Sequence, residues 1–131
     1  MKNTLFLALV IFITGNLCHF GLPWWCLAPI AFLAAWLLAQ SAWSAFLGGF
    51  LSGFLLWYIN AWFPDNSNGG LLSAKVGQLF MGIPGWQLLL ATGILGGLLG
   101  ALSALTGHWG RAIFGKPSSK RKRSYLQERR R

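Results

Sequence analysis

The chain has 131 residues, 55% of them apolar, with 11 Lys and Arg against 2 Asp and Glu. Between Lys2 and Asp65 lie 62 consecutive uncharged residues, and between Lys75 and Arg111 another 35. A soluble domain this small exposes most of its residues and cannot hide two such stretches from water, and an apolar content this high excludes a disordered chain. The expectation is therefore an all-α membrane protein: a four-helix transmembrane domain over 1–110 and a basic tail over 111–131.

A helix rising about 1.5 Å per residue needs roughly 20 apolar residues to cross about 30 Å of hydrocarbon. The first span is predicted over about 4–20, where TLFLALVIFITGN is dense in Leu, Ile, Val and Phe. Gly15, Asn16, His19, Gly21 and Pro23 close it. From Pro23 to Phe63 the chain stays apolar for 41 residues, about twice what one crossing needs. It must fold back, and Gln40-Ser41 is the polar pair at which it can. The second span is read as 23–39 and the third as 42–63, joined by a tight hairpin. Pro23 suits a first helical turn, and Pro29, further in, is expected to kink the helix.

Residues 64–70 (PDNSNGG) are all turn formers and read as a loop. Over 71–83, apolar Leu72, Val76, Leu79, Phe80 and Ile83 recur at helical spacing against polar Ser73, Lys75 and Gln78. That pattern predicts a short amphipathic helix lying in the membrane interface. Pro84-Gly85 turns the chain, and the fourth span is predicted over 86–107. Trp24, Trp25, Trp57, Tyr58, Trp62, Trp86 and Trp109 flank the spans where interfacial anchors belong.

Cytoplasmic segments carry the excess of Lys and Arg. The tail holds Arg111, Lys116, Lys120, Arg121, Lys122, Arg123, Arg129, Arg130 and Arg131 against Glu128 alone, so both termini are expected in the cytoplasm. The first span could pass for a secretion signal with Lys2 as its charged start, and Cys18 invites a lipoprotein reading. Leu17 immediately before the cysteine makes a poor cleavage site, and retention is expected. The tail, above all Lys120–Arg123 and Arg129–Arg131, is expected to contact anionic lipid headgroups, with docking to an acidic partner as the alternative. Nucleic acid is not expected as a partner, because Tyr125 alone offers no stacking platform for bases.

Small residues recur at four-residue spacing, which places them on one helical face. Ser41, Ala45, Gly49 and Gly53 form one stripe in the third span, with Ser44, Gly48 and Ser52 beside it. Thr92, Gly96, Gly100 and Ala104 form another in the fourth, with Gly93, Gly97 and Ala101 adjacent. Lipid tails are as apolar as Leu, so helices associate in the bilayer through close backbone approach. Gly49, Gly53, Gly93, Gly96, Gly97 and Gly100 are accordingly the expected packing residues, within one chain or between copies. The run FLGGFLSGFLLWYINAWFPDNSNGG, followed by GILGGLLGALSALTG and a basic end, resembles a group of small bacterial inner-membrane proteins. The resemblance covers roughly 46–107 and implies the same membrane. That group has no assigned activity to carry over.

Ion-coupled transporters need an ionisable group inside the membrane, and the predicted spans contain none, which argues against a small multidrug exchanger. A fluoride channel has similar size and glycine-rich helices, but no Thr-Thr-Phe-Ser-like break occurs in the third span. Cys18 and Cys26 share the outer end, where a disulfide is permitted by spacing and compartment. A thiol oxidase would need a second redox pair, and zinc would need a further ligand beside Cys18, His19 and Cys26. Ser103 and His108 lack a third partner for nucleophilic catalysis. No enzymatic activity and no cofactor or metal are expected. The predicted function is a scaffold, accessory or assembly subunit that packs against other membrane subunits or its own copies. The alternative is an oligomeric small-ion channel or a holin-like pore.

Overall fold

The structure is a computed structural model that describes residues 2–19, 21 and 23–114. Expectations for Lys116, Lys120–Arg123 and Arg129–Arg131 fall outside the described residues, as do those for the side chains of His19 and Trp24. Among the described residues every regular element is helical: α1 (Lys2–His19), a 3-10 turn (Trp24–Cys26), α2 (Leu27–Leu38), α3 (Ala42–Ser67), α4 (Leu71–Leu79) and α5 (Gly85–Phe114). By length and apolarity, α3 and α5 can each cross a membrane, whereas α1 and α2 are shorter than a full crossing requires. The expectation of four full-length spans is thus met by two helices, and the other two are shortened.

The shortening of α2 has a local cause. Pro23 precedes the 3-10 turn in extended conformation (φ −62°, ψ 157°), so the α-helix starts only at Leu27. Pro29 then falls in the first turn, where an amide hydrogen has no intrahelical acceptor. It belongs to the helix start instead of kinking a span that began at Pro23. At the other end the chain reverses through Ala39, Gln40 and Ser41, as the polar pair predicts. Ser41, extended at φ −145°, accepts a hydrogen bond from the Ser44 amide at 3.2 Å and caps α3.

Residues 64–67 are helix, not loop. Proline lacks only its own amide hydrogen, and the turn after it is held by the Ser67 hydroxyl on the Phe63 carbonyl (2.9 Å) and the Asn68 amide on the Pro64 carbonyl (3.2 Å). The helix stops where glycine allows it. Gly69 and Gly70 take φ +68° and +71°, with the Gly70 amide donating to Asp65 (2.8 Å) and the Gly69 amide to Asn66 (3.2 Å). This is a Schellman ending, which a residue with a Cβ would strain.

The same corner starts α4. The Asp65 carboxylate accepts from the Ser73 amide (3.3 Å) and the Ser73 hydroxyl (3.0 Å), while the Asn68 side chain accepts from the Leu71 amide (3.2 Å). Asp65→Ala therefore removes an N-terminal cap and should loosen α4 by about 1 kcal/mol. Faster amide exchange over 71–79, with exchange in α1 and α2 unchanged, is the expected readout. α4 ends at Leu79, four residues before the predicted boundary, because Met81 (φ +62°) and Gly82 (φ +82°) turn left-handed. The amides of Gly82 and Ile83 bond to the Gly77 carbonyl at 3.0 and 3.1 Å.

α5 runs to Phe114, well past the predicted end at 107 and across the 110/111 boundary. Its last turns are held by α2: Trp36 stacks on Phe114 with ring centres 6.5 Å apart. The arrangement is an up-down bundle in which α3 packs most extensively on α5, α2 on α5, and α1 on both α3 and α2. Thr4 donates to Ser44 (3.3 Å) and Asn60 to Asn16 (3.4 Å), so α1 and α3 run parallel. Both chain-terminal helix ends, α1's start and α5's finish, lie with the 39–41 hairpin at one end of the bundle.

The interior is made of small side chains. Ala31, Ala34, Ala35, Ala39, Ala45 and Ala104 are buried together with Leu7, Ile11 and Leu27. The large apolar side chains lie mostly outside: Leu37 is 72% exposed, Trp43 74% and Ile113 75%.

Candidate functional site: the glycine seam of α3 and α5

The predicted packing glycines meet. Gly49 faces the Gly100 carbonyl and Ala104, whose Cβ would stand 2.8 Å from a Cβ added at 49. Gly53 faces the Gly96 carbonyl, and an added Cβ would lie 2.9 Å from the Gly96 carbonyl carbon and 3.3 Å from the Gly97 Cα. Gly100 in turn lies against the Gly49 carbonyl. Backbone therefore touches backbone along this crossing, the contact that small-residue spacing makes available.

The remaining seam glycines receive rings. Gly97 lies under Phe50, Gly93 under Phe54 and Tyr58, and Gly96 under Trp57; an added Cβ would reach the nearest ring atom of Phe50 or of Phe54 at 2.9 Å. Phe46, Phe50, Phe54 and Tyr58 form a stacked ladder along α3, with successive ring centres 6.3, 6.2 and 5.8 Å apart and planes within 19°. The sequence reading missed this ladder, although the four-residue spacing of aromatics was its visible signal. Of the aromatics expected at the span ends, Trp57 and Tyr58 are half-buried and pack on α5 at Gly96 and Gly93, whereas Trp25, Trp62, Trp86 and Trp109 are exposed.

The second small stripe of α3 serves a different neighbour. An added Cβ at Gly48 would stand 3.0 Å from Leu7 and 3.4 Å from the Thr4 carbonyl, both on α1. Ser44 and Ser52 are buried here, and the Ser52 hydroxyl donates to the carbonyls of Gly48 (2.8 Å) and Gly49 (3.1 Å), which satisfies it within its own helix. A third close approach, unpredicted, joins α5 to α2: Gly107 lies on the Phe32 backbone and Gly110 on the Trp36 ring.

Arg111 is a charged group that joins two helices of the bundle. Its guanidinium donates to the carbonyls of Trp36 (3.0 Å), Leu37 (3.3 Å) and Ala39. The first two are carbonyls of the last turn of α2, which have no intrahelical partner, and Ala39 is the extended residue that caps it. A residue assigned from sequence to the tail is thus a cap for another helix, and long-range contact of this kind leaves no local spacing signal.

α4 places its predicted apolar face away from the bundle. Leu72, Leu79 and Phe80 are exposed, Val76 is half-buried, and Gly77 alone in this helix is buried, 3.7 Å from Leu88 as measured from an added Cβ. Cys18, half-buried, and buried Cys26 are both free thiols. Among the described residues no three His, Cys, Asp or Glu side chains gather as a metal site. An open apolar groove of roughly 290 Å³ lies at the foot of the aromatic ladder, lined by Ala42, Trp43, Phe46 and Leu105.

Comparison of the chain with protein-family models, with curated protein sequences and with solved structures finds no match.

Proposed function

We propose that the chain is an integral membrane protein whose four longer helices sit in the bilayer. It acts as a scaffold, accessory or assembly subunit through helix packing and has no chemistry of its own. The observation that carries this reading is the inversion of side-chain size. Glycine, alanine and serine make up most of the buried helix contacts, joined by Leu7, Ile11, Leu27 and Leu56, while many of the large apolar side chains, among them Leu37, Trp43 and Ile113, are exposed. In hydrocarbon no solvent force drives helices together, so smooth close-packed seams supply the association and greasy surface faces lipid. The gathering of both terminal helix ends at one end of the bundle supports a topology with both termini on one side. The basic tail and the resemblance over 46–107 favour the cytoplasmic side of a bacterial inner membrane.

The packing role is favoured over a pore because the space beside the seam glycines is filled by rings and backbone. Anionic lipid at the tail and further membrane subunits, or copies of the same chain, are the proposed partners. Gentle detergent extraction should recover the protein with a membrane partner in defined ratio or as a homo-oligomer, and the purified protein in liposomes should leave ion and dye gradients intact. Sustained flux from the purified protein alone would overturn the scaffold reading in favour of a channel or holin.

A further inference from the structure

The aromatic ladder of α3 stops one place short of the helix start. Its rungs, Phe46, Phe50, Phe54 and Tyr58, recur every four residues, and the next place toward the hairpin belongs to Ala42. Phe50 fills the space over Gly97, and Phe54 the space over Gly93. At Ala42 a methyl stands where a ring would continue the row, and the open groove of roughly 290 Å³ lies there, bounded by Ala42, Phe46 and Leu105 of α5. Trp43 forms a further wall: it is 74% exposed, and its ring meets Phe46 edge-on with centres 6.3 Å apart. The lining is apolar, and the volume is at the lower end of pockets that hold small molecules, about 300 Å³. Such a groove takes part of one hydrocarbon chain and leaves no room for a headgroup.

The end of the bundle at which the groove lies is polar and cationic. Exposed Gln40 and Ser41 immediately precede Ala42. Trp43 and Trp109, which is one turn past Leu105, are exposed, as amphipathic rings are at the level of the headgroups. Arg111 sits at this end on the carbonyls of Trp36, Leu37 and Ala39 and keeps its charge. The chain leaves α5 here, and the residues after Phe114 include Lys116, Lys120–Arg123 and Arg129–Arg131 against Glu128 alone. Asp65, the one carboxylate among the described residues, stands at the other end of α3. A second copy approaching with this same end would bring like charge to like charge, whereas an acidic headgroup is attracted.

We infer, resting on the membrane reading above, that the groove holds an acyl chain of one anionic phospholipid of the bilayer, whose phosphate lies among the cations at the hairpin end. The lipid chain supplies the missing rung, so the start of α3 is fully packed only where acidic lipid is present.

The test uses the full chain in nanodiscs of dioleoyl-phosphatidylcholine with a minor share of dioleoyl-phosphatidylglycerol, followed by native mass spectrometry. The parent is expected to keep one phosphatidylglycerol, enriched at least about fivefold over its share of the bilayer. Ala42→Phe puts a ring into the groove and should cut that enrichment at least about threefold. Changing Lys120, Arg121, Lys122 and Arg123 together to Gln should, independently, do the same. Ala42 is half-buried beside open space, so the variant should keep the parent's helix content. A second measurement needs no variant: phosphatidylglycerol with a diazirine in its acyl chain should label peptides bearing Trp43, Phe46 and Leu105 over those bearing exposed Leu55 and Leu95. The matching phosphatidylcholine probe should show no such preference.

Unchanged enrichment in Ala42→Phe overturns the inference and leaves lipid binding to the tail alone. Equal retention of phosphatidylcholine, or retention indifferent to the four tail charges, overturns it too. A rise in retention on Leu126→Ala would put the chain's own tail in the groove, and a Trp43→Cys homodimer that keeps no lipid would put a second copy there; either outcome overturns the proposal. Release of the parent chain from vesicles by alkali would instead defeat the membrane reading itself.

Discussion

Gly53→Leu should leave no native α3–α5 pair. The atoms that an added Cβ would meet are the carbonyl of Gly96 and the Cα of Gly97, all of them backbone. A side chain can swing aside; a helical carbonyl held by its own hydrogen bond cannot. The helices must therefore separate along the most extensive contact in the molecule, and dispersion contacts are lost along the whole crossing. Overpacking a core by a methylene or two costs about 1–3 kcal/mol where neighbours can adjust. With no adjustment open here, the loss should exceed about 4 kcal/mol. Heating in mild detergent followed by size-exclusion chromatography should find Gly53→Leu aggregated at temperatures where the parent is monodisperse. A wild-type melting profile would remove the seam from its place in the fold.

The seam also predicts a gradient. At Gly93 the nearest atoms to an added Cβ belong to the Phe54 ring at 2.9 and 3.0 Å, with the Tyr58 Cβ at 3.2 Å. The ring can pivot, so Gly93→Ala should cost about 1 kcal/mol. Gly97 lies between the two cases, with the Phe50 ring at 2.9 Å and the Phe50 carbonyl at 3.1 Å. Leu at 97 should be destabilising but less disruptive than Leu at 53. The reverse order would show that ring packing, not backbone approach, governs the crossing.

Arg111→Met should release the end of α2. Three carbonyls, those of Trp36, Leu37 and Ala39, lose their donor at once. A hydrogen bond to a charged donor contributes about 1.5–3 kcal/mol, and a carbonyl left without a partner away from water costs more than one that never had it. α2 has only 12 residues over which to recover the loss. The expected destabilisation is about 3 kcal/mol, with faster amide exchange across α2 and the hairpin and little change in α4. Lys at 111 should recover part of this, because a single ammonium cannot reproduce the planar fork. Unchanged exchange in α2 after Arg111→Met would refute the capping role.

These two sites differ in how visible they were before the fold was known. The stripe Ser41, Ala45, Gly49 and Gly53 is a local pattern: four-residue spacing puts small residues on one face whatever the helix touches. A second stripe of the same kind stood on α5, and the spacing left open whether the two would meet within one chain or between copies. Which α3 stripe met which neighbour was not legible, because Gly48 and Gly49 sit side by side and differ only by rotation about the helix axis. Arg111 carried no signal at all. Its role depends on α2 ending beside it, and α2 ends at Leu38 because of the hairpin that follows.

Boundaries erred in both directions, for identifiable reasons. Residues 64–67 looked like loop because their composition is that of turns, yet a helix already running needs only acceptors and donors for its next turn, and Asn, Asp and Ser supplied them. The left-handed glycines at 69 and 70, not Pro64, stopped it. In α2 the prolines acted earlier than expected: Pro23 kept the entry extended, and the span shortened to 12 residues.

Composition and spacing by themselves determined that this chain is helical, that its helices are divided near Gly21, Gln40-Ser41 and Pro84-Gly85, and that α3 and α5 each carry a glycine face suited to close packing. All of these follow from residue chemistry within one or two turns. Only the tertiary structure decided the seating of the aromatic ladder over Gly93 and Gly97, the approach of Gly107 and Gly110 to α2 and the capping of α2 by Arg111. Each of those depends on which residue, distant in the chain, arrives to fill a space or satisfy a carbonyl, and no short-range rule encodes that.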